Sequence, residues 1–405
     1  KYCKQKYPKI PILVGGPLVT LVPDDIIAEE CVDIIALGEA EEAIVDLCNN
    51  LESGNMESIY KTKNMWVKDE NYSENRKIHK NPTMLPNIEY AYAPDLNIFD
   101  DRHFIRPLGG KMYRMATVIW TRGCVFHCSY CANETFYRAY EVMPKQYYRK
   151  KDTNALVDEL QKIKEIHNLN FIMFVDDIWP MHDIDLVEKF REAYKKYVNL
   201  PFSVNLQCKL IKEEAFSLAV DAGLRNICVG LESGSLKIRK DVLKRNYKNE
   251  DVVRAFGLAH KHNIRSSSFN IIGLPYEKRK DIFKTIELNR RAKPNSATVT
   301  FFHPYRGAPL RKLCTEKGYI QKNDYKHEDI YRAESTLNMP QITKKELSNL
   351  MQTFQLYFKL PKKLWPLIEE SEDVSSVKAQ KIREDILLPA FHEVLSKEPV
   401  FDFTQ

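Results

Sequence analysis

Short apolar runs alternate with amphipathic stretches through most of this 405-residue chain. Ile10-Pro-Ile-Leu-Val-Gly-Gly16 and Val32-Asp-Ile-Ile-Ala-Leu-Gly38 are brief apolar segments that end in glycine, the pattern of buried parallel strands. Residues 23–30 and 39–51 read as helices following them. Two βα units cannot cover both faces of a sheet, so residues 1–56 predict one half of a larger doubly wound domain. From 117 to 303 the alternation repeats six times, with strands predicted at 117–121, 171–175, 202–207, 226–231, 266–272 and 297–303. Amphipathic helices fall between them, as at 154–166, 184–197 and 250–262. This order predicts a parallel sheet covered by helices, whose chemistry gathers at the C-terminal ends of the strands. Residues 57–116 are polar and punctuated by Pro82, Pro86 and Pro94, which predicts a linker with a small hairpin. Residues 311–405 predict a helical region, periodic over 344–358 and 376–395 and broken around Pro361 and Pro366. The expected domains are therefore 1–56, 57–116, 117–310 and 311–405. The chain begins at Lys1 in mid-pattern, so it reads as truncated, with the first half of the opening sheet preceding it.

Composition narrows the possibilities. With 44% hydrophobic and 29% charged residues, the chain is of the soluble globular type. No apolar stretch approaches the roughly 20 residues that a membrane span needs. The net charge of +6 is spread along the chain, and basic runs such as Arg149-Lys-Lys151 and Lys362-Lys363 read as solvated surface. No nucleic-acid partner is expected. The nine cysteines are odd in number and scattered, which argues for thiols in a reducing cytoplasm rather than disulfides.

Three of those thiols carry the chemistry. Cys124, Cys128 and Cys131 stand in Trp120-Thr-Arg-Gly-Cys-Val-Phe-His-Cys-Ser-Tyr-Cys131, a C-x3-C-x2-C spacing. Three thiolates can hold three irons of a [4Fe–4S] cluster and leave the fourth open. The competing zinc site needs four protein ligands, and only His127 and His103 stand ready to complete it. The other six cysteines sit in apolar or helical contexts and read as ordinary thiols.

The motif resembles that of the radical S-adenosylmethionine (SAM) enzymes. The resemblance implies a partial (β/α)6 barrel with a [4Fe–4S] cluster on Cys124, Cys128 and Cys131, whose open iron chelates SAM. Tyr130 fits the aromatic position near the adenine. Asp176 and Asp177, ending the second barrel strand, replace the family's acceptors for the SAM ammonium, the alternative being a cap on the next helix. Glu232 and Ser233, in Gly-x-Glu-Ser-Gly after the fourth strand, match a SAM-contacting segment. Arg245 aligns with an arginine that pairs with the SAM carboxylate in some subfamilies, or is a solvated helix-end residue. Gly273 and Pro275 match the turn over which adenine lies. His303, Tyr305, Arg306 and Tyr276 fall near the expected substrate region, with His303 favoured as a packed residue and neither tyrosine singled out as a proton or hydrogen donor.

Residues 1–56 in turn resemble the C-terminal half of a Rossmann-like cobalamin-binding domain. Gly15 and Gly16 in Val-Gly-Gly-Pro, and Gly38-Glu-Ala-Glu41, match stretches common in cobalamin-binding radical SAM proteins. The D-x-H-x-x-G motif of a lower-axial histidine is absent; Asp101-Arg-His103-Phe-Ile-Arg106 fails at its last position. The resemblance implies reductive SAM cleavage and methylation of an unactivated carbon through cobalamin. It also implies anaerobic conditions, a flavodoxin- or ferredoxin-type electron donor and a small-molecule, natural-product or lipid substrate. Cyclisation or rearrangement, as in anaerobic porphyrin-ester cyclases, is the alternative within enzymes. A non-catalytic binding protein with a cluster is the alternative outside them.

Overall fold

The computed structural model describes residues 1–69, 77–86, 88, 104–321 and 334–403. The expected connector at 94–100 and His103 lie outside these. The chain divides into two compact units.

The first unit gathers Lys1–Tyr92, Arg122–Lys150 and Tyr305–Lys312. Its sheet has four strands in the order β1 (Leu13–Val14), β2 (Ile34–Ala36), β3 (Met65–Lys68) and β4 (Ile78–Lys80). β1 and β2 run parallel; β3 and β4 add antiparallel. The last two strands come from the stretch expected to be a linker with a small hairpin, and they pair antiparallel on the edge of this sheet. The reason is visible in β3, where Met65 and Val67 bury on one face of the sheet while Trp66 packs on the other. Ile34 and Ala36 of β2 join the first face with Ala43 and Leu47 of helix Glu41–Ser53; Ile35 joins the second with Val19 and Ile27. A strand covered on both faces must be apolar throughout, hence the unbroken run. β1 is shorter than its apolar run, and the backbone turns after it at Gly16, which takes φ +103°.

The second unit gathers Ala93–Thr121, Lys151–Pro304 and Leu313–Gln405. It holds β5 (Ile105–Leu108), β6 (Lys111–Val118), β7 (Phe171–Phe174), β8 (Phe202–Leu206), β9 (Leu224–Glu232), β10 (Arg265–Ile272) and β11 (Ser296–Phe301). Their order in the sheet is β11-β10-β9-β8-β7-β6-β5. β6 to β11 are parallel, as a curled half-barrel requires, and β5 pairs antiparallel with β6. β6 ends before the predicted 117–121 strand does and starts earlier. Gly109 and Gly110, at φ +60° and +87°, close a hairpin that draws Lys111–Val118 against β5.

Helices cover one face of this sheet. Phe174, Phe202, Val204, Ile227, Val229 and Leu231 point into the core beneath them. Trp120 stacks on Phe190 there at 4.9 Å between ring centroids, with Trp179 edge-on. On the opposite face Thr117, Ile119, Val175, Asp177, Phe269, Thr298 and Thr300 are exposed. The expected C-terminal helices are present as Lys344–Lys359, Val377–Ile382 and Leu388–Ser396, the last two joined by a π-turn. Arg290 ties the first of these to the barrel by donating to the carbonyls of Tyr357, Phe358 and Leu360 at 2.7–2.8 Å. Among the described residues no helix is long and apolar enough to cross a membrane.

Candidate active site

The cysteine loop belongs to the first unit. All nine cysteines are thiols, none in a disulfide; Cys128 is buried and Cys124 and Cys131 are half-buried. Gly123 opens the loop at φ +86°, where a Cβ would lie 2.6 Å from the Tyr147 carbonyl oxygen. Only glycine fits that approach. The Phe126 N–H points at Cys124 Sγ at 3.5 Å, and the Cys131 N–H closes a turn on the Cys128 carbonyl at 3.1 Å. The Leu310 N–H holds the Ser129 carbonyl at 2.9 Å. Tyr130 is half-buried.

His127 turns to Tyr137, its Nδ1 2.6 Å from the phenol oxygen. Among the described residues no three or more His, Cys, Asp or Glu side chains converge on a point that could hold a single metal ion. The donor set does fit a [4Fe–4S] cluster, in which each thiolate bonds a different iron and need not share one point.

The barrel-strand ends lie in the second unit. Asp176 is buried; its Oδ1 accepts the N–H of Trp120 at 3.1 Å and the N–H of Thr121. Its Oδ2 has no hydrogen-bond partner among the described residues. Burial pushes its pKa up to about 7, against those hydrogen bonds. Asp176 does not cap the following helix; Asp183 does, accepting from the Leu186 N–H at 3.2 Å. Asp177 is exposed.

Glu232 ends β9 at φ +59°, a left-handed conformation uncommon for a glutamate. The register against β10 slips between Gly230 and Glu232, a bulge that re-aims the side chain. A Cβ at position 230 would lie 2.6 Å from Glu232 Oε1, so Gly230 makes room for the returning carboxylate. Arg245 Nη1 pairs with Glu232 Oε1 at 3.4 Å, and its Nη2 donates to the Gly230 carbonyl at 3.1 Å. Arg245 is thus no solvated helix-end residue. Its guanidinium also lies over Tyr247, whose hydroxyl donates to the Leu231 carbonyl. Ser233 is fully buried, and Arg239 donates to its carbonyl at 2.7 Å. Sequence reasoning missed Arg239 and Tyr247, for which residue type and spacing gave no signal.

Gly273, at φ +78°, and buried Pro275 form the turn after β10. Beneath it lies Glu277, also missed, whose Oε2 accepts the N–H of Gly273 at 2.7 Å and of Leu274 at 3.2 Å. Burial raises its pKa to about 8. Tyr276 is 44% exposed at φ +64°. Tyr305 is 38% exposed in the first unit, where its neighbour Arg306 pairs with Asp25 at 2.8 Å. In the same unit a Cβ at Gly16 would meet nothing within 4 Å, and one at Gly15 would make ordinary contact with Ala36.

Residues 118–288 match the family model of the Radical SAM superfamily. The chain is 23% identical over 320 residues to the anaerobic magnesium-protoporphyrin IX monomethyl ester cyclase of Rubrivivax gelatinosus, covering 78% of this chain and 54% of that protein. It is 26% identical over 356 residues to the hopanoid C-3 methylase of Methylococcus capsulatus, covering 84% and 61%. The chain therefore spans little more than half of these relatives. Among solved structures, the cobalamin-dependent S-adenosylmethionine radical enzyme OxsB, with aqua-cobalamin and S-adenosylmethionine bound, superposes with a TM-score of 0.67 at 14% identity over 99% of this chain and 65% of that one. Residues 118–288 thus form a Radical SAM domain, in a chain similar in sequence to the hopanoid C-3 methylase and in fold to the cobalamin-dependent radical enzyme.

Proposed function

We propose that the protein cleaves SAM at a [4Fe–4S] cluster held by Cys124, Cys128 and Cys131, and methylates an unactivated carbon of a small molecule through cobalamin. The observation that carries this reading is the cysteine loop itself, three thiols on a backbone that Gly123 alone allows to bend. When bound, such a cluster supplies an electron to the SAM sulfonium, and cobalamin supplies a methyl carrier. The chain's own residues bind and orient. Glu232, returned over Gly230 and paired with Arg245, offers a carboxylate to ribose hydroxyls or the SAM ammonium. Arg245 offers its guanidinium to the SAM carboxylate. Asp177, exposed beside Asp176, is the better acceptor of that pair, because Asp176 is buried and its Oδ1 is taken by backbone N–H groups. Glu277 holds the Gly273 turn for the adenine. Gly15 and Gly16 leave room beside the backbone for the cobalamin tail.

On the open face of the barrel sheet Ile119, Val175 and Phe269 are exposed beside Thr298 and Thr300, which suits a largely apolar substrate with a few hydroxyl or carbonyl groups. A flavodoxin- or ferredoxin-type protein would deliver the electron. The test is product analysis after anaerobic reconstitution with iron, sulfide, cobalamin, SAM and a reductant. Cobalamin-dependent appearance of both 5′-deoxyadenosine and S-adenosylhomocysteine supports methyl transfer. Deoxyadenosine alone favours the second reading, cyclisation or rearrangement, which the likeness to the porphyrin ester cyclase supports.

A further inference from the structure

The Gly38-Glu-Ala-Glu41 stretch matches a cobalamin-domain motif by sequence, yet its carboxylates reach elsewhere. Glu39 Oε2 and Glu41 Oε1 each lie 2.7 Å from Arg122 Nη1, and Arg122 stands two residues before Cys124. Glu39 Oε1 pairs with Arg149 as well, whose Nη1 donates to the Pro86 carbonyl at 2.9 Å. Two carboxylates thus face two guanidiniums, with side chains only 13–31% exposed. On the far side of the cysteines, helix Asn133–Ala139 ends at Tyr140, and the Tyr140 hydroxyl accepts the Glu39 N–H at 2.5 Å. The start and the end of the cysteine-bearing segment are therefore both fastened to one short stretch, residues 38–41. That stretch tolerates no enlargement, since a Cβ on Gly38 would lie 2.0 Å from the Tyr140 hydroxyl.

We propose that Glu39 and Glu41 are positioning residues for the cysteine loop: through Arg122 they fix the backbone leading into Cys124, and through Tyr140 the same stretch fixes the helix that follows Cys131. The inference rests on the cluster assignment proposed above. Its physical basis is preorganisation. A loop held at both ends presents three thiolates as a set, so that cluster binding does not have to order each one separately. Arg122 suits the task because one guanidinium nitrogen, Nη1, meets both carboxylates at once, and the guanidinium stays charged at any working pH.

The experiment uses the full chain, reconstituted without oxygen with ferrous iron and sulfide. Iron and sulfide per chain, the electron paramagnetic resonance spectrum of the reduced cluster, and its rate of loss to an iron chelator are read for the parent, Glu39→Gln, Arg122→Met and Arg122→Lys. The expected result is cluster loss about 10-fold faster in Glu39→Gln and Arg122→Met, the scale on which outer partners of metal ligands act. An altered spectrum should accompany it, with partial rescue in Arg122→Lys. Should Glu39→Gln fail to fold by circular dichroism, Glu41→Gln, which removes only one Arg122 contact, replaces it with the same expectation. Folded variants that match the parent in stoichiometry, spectrum and loss rate overturn the positioning role while leaving the cluster in place. A folded parent that takes up no iron overturns the cluster assignment and this inference with it.

Discussion

The carboxylate of Asp176 accepts the backbone N–H of Trp120 at 3.1 Å while remaining wholly buried, so one ionisable group from the end of β7 fixes the chain just beyond β6. Burial favours its neutral form and lifts its pKa from 3.8 to about 7. Between those values the folded state holds a proton that the unfolded state has lost. The stability this group contributes is full below pH 4 and is lost as pH rises toward 7. Asp176→Asn keeps an acceptor for Trp120 and removes the ionisation. Its thermal midpoint, relative to the parent, should be more favourable at pH 8 than at pH 5. An equal offset at both pH values would show that Asp176 does not titrate in this window.

Gly38→Ala should destabilise the first unit by about 2 kcal/mol or more, since the new Cβ meets the Tyr140 ring and the backbone is already at φ +67°. Thermal unfolding followed by circular dichroism measures it. A shift no larger than that of Gly257→Ala, a helical glycine with nothing within 4 Å of its Cβ, would refute the clash.

Cys128→Ala should leave the fold intact and abolish SAM cleavage. Cys128 is 8% exposed, and alanine removes only its sulfur from there. Deoxyadenosine formed at the parent rate by this variant would end the radical SAM reading.

Glu232→Gln and Arg245→Ala should each weaken SAM binding by about 10-fold or more, as truncating a partly buried charge pair does. Titration calorimetry of the reconstituted protein reads this directly. Unchanged affinity in both would remove the pair from the SAM site.

Much of this was legible in the chain. The parallel strands of the barrel and the helix Ile184–Tyr197 follow from periodicity, because helices bury one face of each strand and the apolar residues repeat accordingly. Strand ends were less legible. The hairpin at Gly109-Gly110 lengthens β6 backward through polar Lys111 and Arg114, which no apolar run announces. In the site, residue types with known chemistry stood out, as with Glu232 and the cysteines. The residues that hold them did not. Glu277 reads as one more acidic residue at the start of a helix until its carboxylate is seen under the Gly273 turn. Arg122 reads as part of the run before Cys124 until Glu39 and Glu41 are seen around it. Partners so distant in sequence leave no local pattern.

The strand order of the barrel sheet has a consequence for how the protein is made. From β5 to β11 every strand lies beside its neighbour in sequence, without a crossover skipping one. Each new βα unit emerging from the ribosome therefore finds its docking edge already built, and assembly can keep pace with synthesis. The exception in length is the insertion from Arg122 to Lys150, which separates β6 from β7 and packs into the other unit. The cysteines are thus carried on the one excursion that interrupts an otherwise local assembly. The strand registers of the barrel sheet are made entirely by residues outside that excursion.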